Sequence, residues 1–363
     1  MENRNLNWTA ETVDIAIREY AEKPIAPVVI ISYKRGGKAS SIQLMKNTNV
    51  PTYLFVYDDD YNNYKEEVEN SNNIKVILCP SQEFRGAAKK RDFVQANMFK
   101  MGFEDYFILD DDITKLYYTK PGLTKSGKYK AEKVEITPEQ FFKTWYYIIH
   151  NIADYTPALG GVISEASSWC QDLNTLPYYT KSGRVCQIAY INAKLFNQYD
   201  IKYKNIEAWD DFDVQLQVYK NGLDTINLGW LTYSGDTMTP KNSIASGGDY
   251  TWTKKSMNLY KTWGEYVGFK VDKGQLNSTF KWSKIKKDLA EKHTLVPIYN
   301  NEWYNYFFND TDEIDYLGFT KLWQNKIDEW NEKHLPKKKS KAISKEPKEG
   351  QDVIEGQLSL FDE

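Results

Sequence analysis

The chain has 363 residues, 27% of them charged, and a formal net charge of only −3. That length suits one large α/β domain with additions or two domains, and the near-neutral balance excludes a general polyanion-binding surface. Cys79, Cys170 and Cys186 form no C-x-x-C pair, which excludes a disulfide framework and a zinc site.

Residues 1–26 read as a polar lead-in, with a helix expected from Ala10 to Glu22 and no signal-peptide core. No apolar run approaches the roughly 18 residues that span a bilayer, so a cytoplasmic protein without a membrane partner is expected. The β-branched run from Val28 to Ile31 predicts a first strand, which stops at Ser32-Tyr33-Lys34-Arg35-Gly36-Gly37. A helix is expected over Ser40 to Thr48, then a strand from Tyr53 to Tyr57 ending in Asp58-Asp59-Asp60. Tyr64 to Glu69 suits a helix, Lys75 to Leu78 a strand, and Gly86 to Met101 a longer helix. The apolar run Tyr106 to Leu109 predicts the next strand, and it breaks off in Asp110, Asp111 and Asp112. Alternation at this spacing predicts a parallel, doubly wound sheet, whose ligands collect at the carboxyl ends of the strands.

Beyond Asp112 the alternation weakens. A helix is expected over Thr137 to Tyr155, short strands over Gly160 to Ser164 and Val185 to Ile191, and a helix opening at Trp209-Asp210-Asp211-Phe212-Asp213 and running through Tyr219. Loops fill Gly235 to Gly248, and helices are expected near Tyr250 to Tyr260, Trp282 to Glu291 and Thr320 to Lys333. Residues 27–248 are thus expected to form one domain, 249–335 a helical extension, and 336–363 a disordered polar tail.

Three adjacent carboxylates repel one another unless a cation collects them, and Mg²⁺ or Mn²⁺ takes one or two carboxylates and leaves its other positions to phosphates. Asp110 and Asp112 are therefore candidate metal ligands, with a solvated acidic turn as the alternative. Aromatic residues make up 15% of the chain, and their flat faces suit sugars and bases as well as cores.

The ordered series Val-Ile-Ile-Ser-Tyr-Lys-Arg, Tyr-Asp, Arg-Gly-x-x-x-x-Arg, Leu-Asp-Asp-Asp-Ile and Trp-Asp-Asp-Phe-Asp resembles nucleotide-sugar glycosyltransferases of the GT-A type. Within that class it is most similar to the TET-associated glycosyltransferases of phages, which act on hydroxymethylated DNA pyrimidines. The resemblance covers Pro27 to Gly248. It implies a GT-A-like, Rossmann-like doubly wound mixed sheet, a nucleotide-sugar donor such as a UDP-sugar, a Mn²⁺ or Mg²⁺ ion, and DNA with hydroxymethylated bases as acceptor. The donor site would comprise Ser32, Tyr33, Lys34, Arg35, Asp58, Gly86, Arg91, Asp110, Asp111, Ser246, Gly247 and Gly248. Asp211, with Asp210 second, would be the general base, and Asp213 a helix cap or orienting group. The comparable pattern places Asn after the arginine, where this chain has Asp92. Lys89 and Lys90 read as a solvated helix face. His150, His293 and His334 stand in no motif, so a third protein ligand stays open, as do the sugar, the acceptor pyrimidine, and inversion against retention.

In the tail, Gln357-Leu358-Ser359-Leu360-Phe361 resembles the peptide bound by bacterial replicative sliding clamps, with Leu360 and Phe361 filling an apolar pocket and Gln357 at its edge. The rival readings are a glycosyltransferase acting on a surface glycan or protein, a nucleotidyltransferase, and a non-catalytic replication-associated binding protein.

Overall fold

The computed structural model describes residues 25–123, 129–164, 179–181, 183–203, 206, 209–236, 251–272, 275–300 and 316–334. The expected helix at Ala10 to Glu22, the Ser246 to Gly248 loop and the Gln357 to Phe361 peptide lie outside these residues.

The first half follows the alternation of the sequence. Strand β1 (Val28–Ile31) is followed by α1 (Ser40–Met45), β2 (Thr52–Tyr57), α2 (Lys65–Glu69), β3 (Ile74–Cys79), α3 (Ser81–Phe84), α4 (Ala87–Lys100) and β4 (Asp105–Asp110). β1 pairs in parallel with both β2 and β4, and β2 with β3. Val28, Val29 and Ile30 are fully buried, as a central strand covered on both faces requires.

The second half departs from pure alternation. β5 (Ile113–Leu123), β6 (Tyr129–Glu135), α5 (Pro138–Tyr147), β7 (Leu159–Ser164), β8 (Thr180–Lys181), β9 (Ile188–Asn192), α6 (Ala193–Gln198), α7 (Asp210–Lys220) and β10 (Thr225–Gly235) come next. The sheet order is β3-β2-β1-β4-β9-β7-β10-β5-β6, with β8 pairing β10. β9 runs antiparallel to β4, which makes the sheet mixed. β10 and β5 run antiparallel, and Gly235 pairs with Ile113. That pairing brings the end of β10 back to the aspartates that close β4.

The core forms two layers around this sheet. On one side the Phe107 ring lies 5.0 Å from both Phe142 and Trp145. On the other, Val29, Phe55 and Ile108 meet the apolar side of α7 through Phe212, Val214 and Leu216.

The segment after residue 250 folds as α8 (Thr251–Trp263), a hairpin of β11 (Val267–Asp272) and β12 (Gln275–Phe280), α9 (Trp282–Lys292) and α10 (Tyr316–His334). The sequence reading does not include this hairpin, and it matters because Phe280 stacks on Phe212 of α7 at 3.9 Å. No helix among the described residues is long and apolar enough to cross a membrane.

Asp213 is fully buried one turn into α7 and accepts hydrogen bonds from Trp263 Nε1 (2.8 Å) and Gln217 Nε2 (2.8 Å). It is no cap: the residue at the cap position is Trp209, which makes no side-chain capping bond. It ties α7 to α8 instead. Burial pushes its carboxyl up to about 6. The native state therefore holds this proton more tightly than the unfolded chain, and the group withdraws stability as pH rises from about 4 to about 6, with no further change above. Asp213→Asn keeps the shape and removes that titration. Thermal melts across pH 4–8 should show a wild-type minus variant difference that shifts within this window, by up to about 3 kcal/mol, and is level above pH 7.

Candidate active site

The carboxyl ends of β1, β2 and β4 meet at one edge. Ser32 Oγ donates to Asp111 Oδ2 at 2.6 Å and lies 2.8 Å from Tyr64 Oη, which also accepts the Arg35 amide at 2.9 Å. Lys34 takes a left-handed conformation (φ 55°), held by its amide donating to Asp60 Oδ2 at 2.6 Å. Gly36 passes so close to Asn63 that a Cβ there would lie 1.9 Å from the Asn63 carbonyl oxygen. Ser41, fully buried on α1, donates to the Asp110 carbonyl and accepts the Ile113 amide at 3.0 Å, which fixes the turn carrying the three aspartates.

Beside this turn, Tyr33 and Tyr57 meet edge to face at 5.2 Å, and the Arg85 guanidinium lies 5.0 Å from the Tyr57 ring centre. Arg85 donates to Tyr33 Oη at 2.9 Å and pairs with Asp59. Asp58 accepts the Ser81 amide at 3.0 Å, and its hydrogen bonds with Ser81 hold its exposed carboxyl below the usual range. Gly86 opens α4 with φ 111°, and its amide donates to Tyr57 Oη at 3.0 Å.

Lys90 corrects the sequence reading. It is 2% exposed, its Nζ donates to the Ser32 carbonyl at 2.5 Å, and it lies 4.1 Å from the Tyr57 ring centre. Burial pulls its pKa down to about 8. Lys89 is exposed, as expected. The pattern that separates them is positional: Lys90 lies four residues before the buried Val94 on the inward side of α4, whereas Lys89 does not share that face.

Arg91 is the hub. Its guanidinium donates to Asp110 Oδ1 at 2.8 Å and to Asp210 Oδ2 at 2.6 Å, joining β4 to the head of α7. Arg35 lies 3.1 Å from Asp111 and 3.8 Å from Asp112. Asp112 is 2% exposed, and burial together with the neighbouring Asp110 and Asp111 charges raises its carboxyl to about 6. Asp211 lines a cavity of about 20 Å³ with Arg91, Cys186 and Tyr203, room enough for one water. Its pKa is raised by burial and by the adjacent Asp210 charge. Among the described residues Asp211 makes no ion pair, whereas Asp210 is pinned by Arg91.

Asp110 and Asp112 offer oxygen donors only, and their mutual repulsion is the kind that a hard dication relieves; this donor set fits Mg²⁺ or Mn²⁺. Among the described residues no group of three His, Cys, Asp or Glu side chains converges on a metal position. His150 pairs with Asp105 at 2.9 Å, at the opposite end of β4, so it is no third ligand.

A family model for the TET-associated glycosyltransferases matches residues 26–239. The chain belongs to this family. It is a glycosyltransferase, and its mixed sheet with flanking helices is the GT-A-like architecture that the motifs implied. No curated protein matches the chain. Among solved structures it is similar to 4-diphosphocytidyl-2C-methyl-D-erythritol synthase (12% identity, 62% of this chain and 98% of the other, TM-score 0.33). It is also similar to a mycobacterial protein (10% identity, 76% and 89%, TM-score 0.37) and to mannose-1-phosphate geranyltransferase from Thermus thermophilus (10%, 73% and 98%, TM-score 0.25). Likenesses of this degree carry no functional weight.

Ser41, Tyr64 and Arg85, which the motifs did not single out, shape the strand-end turns together with Asp60 and Lys90. Lys90→Met keeps the volume of the buried stem and removes the bond to Ser32. Calorimetry should show nucleoside diphosphate binding weakened about tenfold, the usual size for a charged hydrogen bond, with a modestly lower melting temperature because the buried Ser32 carbonyl loses this donor. Lys89→Met should bind as the wild type does.

Proposed function

We propose that the glycosyltransferase moves a sugar from a nucleotide-sugar donor, such as a UDP-sugar, onto a hydroxymethylated pyrimidine base in DNA. The observation that carries this reading is the single Arg91 guanidinium shared by Asp110 and Asp210. It locks the donor-side aspartates and the α7 carboxylates into one site. Membership of a family whose description links it to TET proteins supports the DNA acceptor.

In this reading Tyr33, Tyr57 and Arg85 face the nucleoside, and Ser32 to Arg35 meet the diphosphate. Asp110 and Asp112 hold the dication, which when bound neutralises charge on the departing nucleoside diphosphate. Asp211 takes the proton of the acceptor hydroxyl as its oxygen bonds to the anomeric carbon and the bond from that carbon to the diphosphate breaks. Asp210 is the poorer base because Arg91 already occupies it, while burial and the Asp210 charge raise the proton affinity of Asp211.

Mass spectrometry of hydroxymethylated DNA incubated with the protein, Mn²⁺ and a panel of nucleotide sugars tests this directly. A mass gain of one sugar per modified base is expected. Asp211→Asn should lower the rate roughly 10²-fold or more. Asp112→Ala should lose the extra thermal stability that Mn²⁺ with nucleoside diphosphate gives the wild type. Sugar transfer to a glycan or protein acceptor and none to DNA would overturn the acceptor assignment.

We further propose that Gln357, Leu358, Leu360 and Phe361 dock on a bacterial sliding clamp and tether the enzyme to newly replicated DNA. A peptide covering Glu355 to Glu363 should bind purified clamp, and changing Leu360 and Phe361 to Ala should eliminate binding. Equal binding by the double-Ala peptide would remove the partner.

A further inference from the structure

The site has a second aromatic cluster that the donor does not use. Trp209 immediately precedes Asp210 and Asp211, and its backbone takes a left-handed conformation (φ 61°). A bulky residue holds that conformation only when its surroundings impose it, and such positions cluster at ligand sites. Its indole lies 5.3 Å from Trp252 with the planes at 56°, so the two rings form a tilted wedge and not a stack. Both are half-buried. Phe212, 5.2 Å from Trp209 and itself stacked on Phe280, fixes the wedge from the core side.

Two further observations point to a ligand here. Trp209 Nε1 is buried without a hydrogen-bond partner, and an unpaired buried donor is unfavourable unless an acceptor arrives. The flanks are cationic: the exposed Arg184 guanidinium lies 5.1 Å from the Phe212 ring centre, and Lys255 Nζ lies 5.6 Å from that of Trp252. The Arg184 charge also acts on Asp211, so it lies within electrostatic reach of the proposed base. Among the described residues Arg184 makes no ion pair. On a chain of net charge −3, cations gathered beside an aromatic wedge favour an anionic, aromatic ligand over a neutral one.

We propose that Trp252 is the platform on which the acceptor base stacks, with Trp209 Nε1 donating to the edge of that base and Arg184 holding the adjacent DNA phosphate. This rests on the DNA-acceptor reading. A base inside a duplex cannot present its hydroxymethyl group to Asp211, so it must be extruded, and an extruded base is held by aromatic side chains and by hydrogen bonds to its edge. Trp252 supplies the first, and Trp209 Nε1, in the plane of its own tilted ring, supplies a donor for the second.

Acceptor kinetics on a hydroxymethylated oligonucleotide, at salt from about 50 to about 200 mM, test the assignment. Trp252→Ala should raise the acceptor KM about tenfold or more, while the thermal shift given by nucleoside diphosphate is kept, and Trp252→Phe should restore most of the loss. Trp209→Phe keeps a ring and removes the N–H; it should also raise the acceptor KM, and it serves if Trp252→Ala disturbs α8. Arg184→Gln should raise the acceptor KM and reduce the slope of log affinity against log salt by about one. Unchanged acceptor KM in both Trp252→Ala and Trp209→Phe would overturn the platform while leaving DNA as the acceptor. A wild-type enzyme that modifies no DNA at all would overturn the acceptor reading itself, and the platform with it.

Discussion

The site depends on one guanidinium. Arg91 extends from α4, and its two nitrogens hold carboxylates that arrive from β4 and from α7, separated by 100 positions in the chain from Asp110 to Asp210. Arginine is suited to this because its planar fork is always charged and can serve two partners at fixed geometry, whereas a lysine ammonium would act as a point charge. With Arg91 largely removed from water, its loss would leave two carboxylates facing each other across the cleft with nothing between them. The strand-end turn of β4 and the head of α7 are thus held as one unit.

Around that hub the structure tolerates a large load of buried charge. Asp112, Asp210, Asp213 and Lys90 are each less than a tenth exposed. The raised carboxyls of Asp112 and Asp213 and the lowered ammonium of Lys90 share one cause, burial, which disfavours the charged form. A surface patch would carry no such cost. The arrangement is stable because each charge has a specific polar partner: Arg35 for Asp112, Arg91 for Asp210, Trp263 and Gln217 for Asp213, and the Ser32 carbonyl for Lys90.

Much of this was legible in the sequence. The β-branched runs that stop at Ser32, Tyr57 and Asp110 placed three strand ends at one edge, because parallel strands linked by helices leave no other topology. The strands β5, β6 and β10 were not legible. Pro121-Gly122 falls inside β5, beyond the Tyr118–Leu231 pair where its pairing with β10 ends, and pairs only with β6, an edge position that tolerates proline. β10 is buried along most of its length, so it lacks the alternation that marks a half-exposed strand. At the site, the aspartates were found by their clustering, but Lys90 resembled its neighbour Lys89 in everything except the face of the helix. Asp213 resembled a cap because it is acidic and near a helix start, while its partner Trp263 is 50 positions away.

The end of β10 has a mechanical consequence for the aspartates. The Asp236 amide donates to the Asp112 carbonyl at 2.8 Å, its carboxylate accepts from Ser40 at 2.5 Å, and Trp252 rests against Trp209 at the start of α7. The turn that carries Asp112 is therefore held from β10 and from α1 at once, through backbone on one side and through a side chain on the other. A strain applied to the end of β10 reaches Asp112 directly, with no intervening side chain to absorb it.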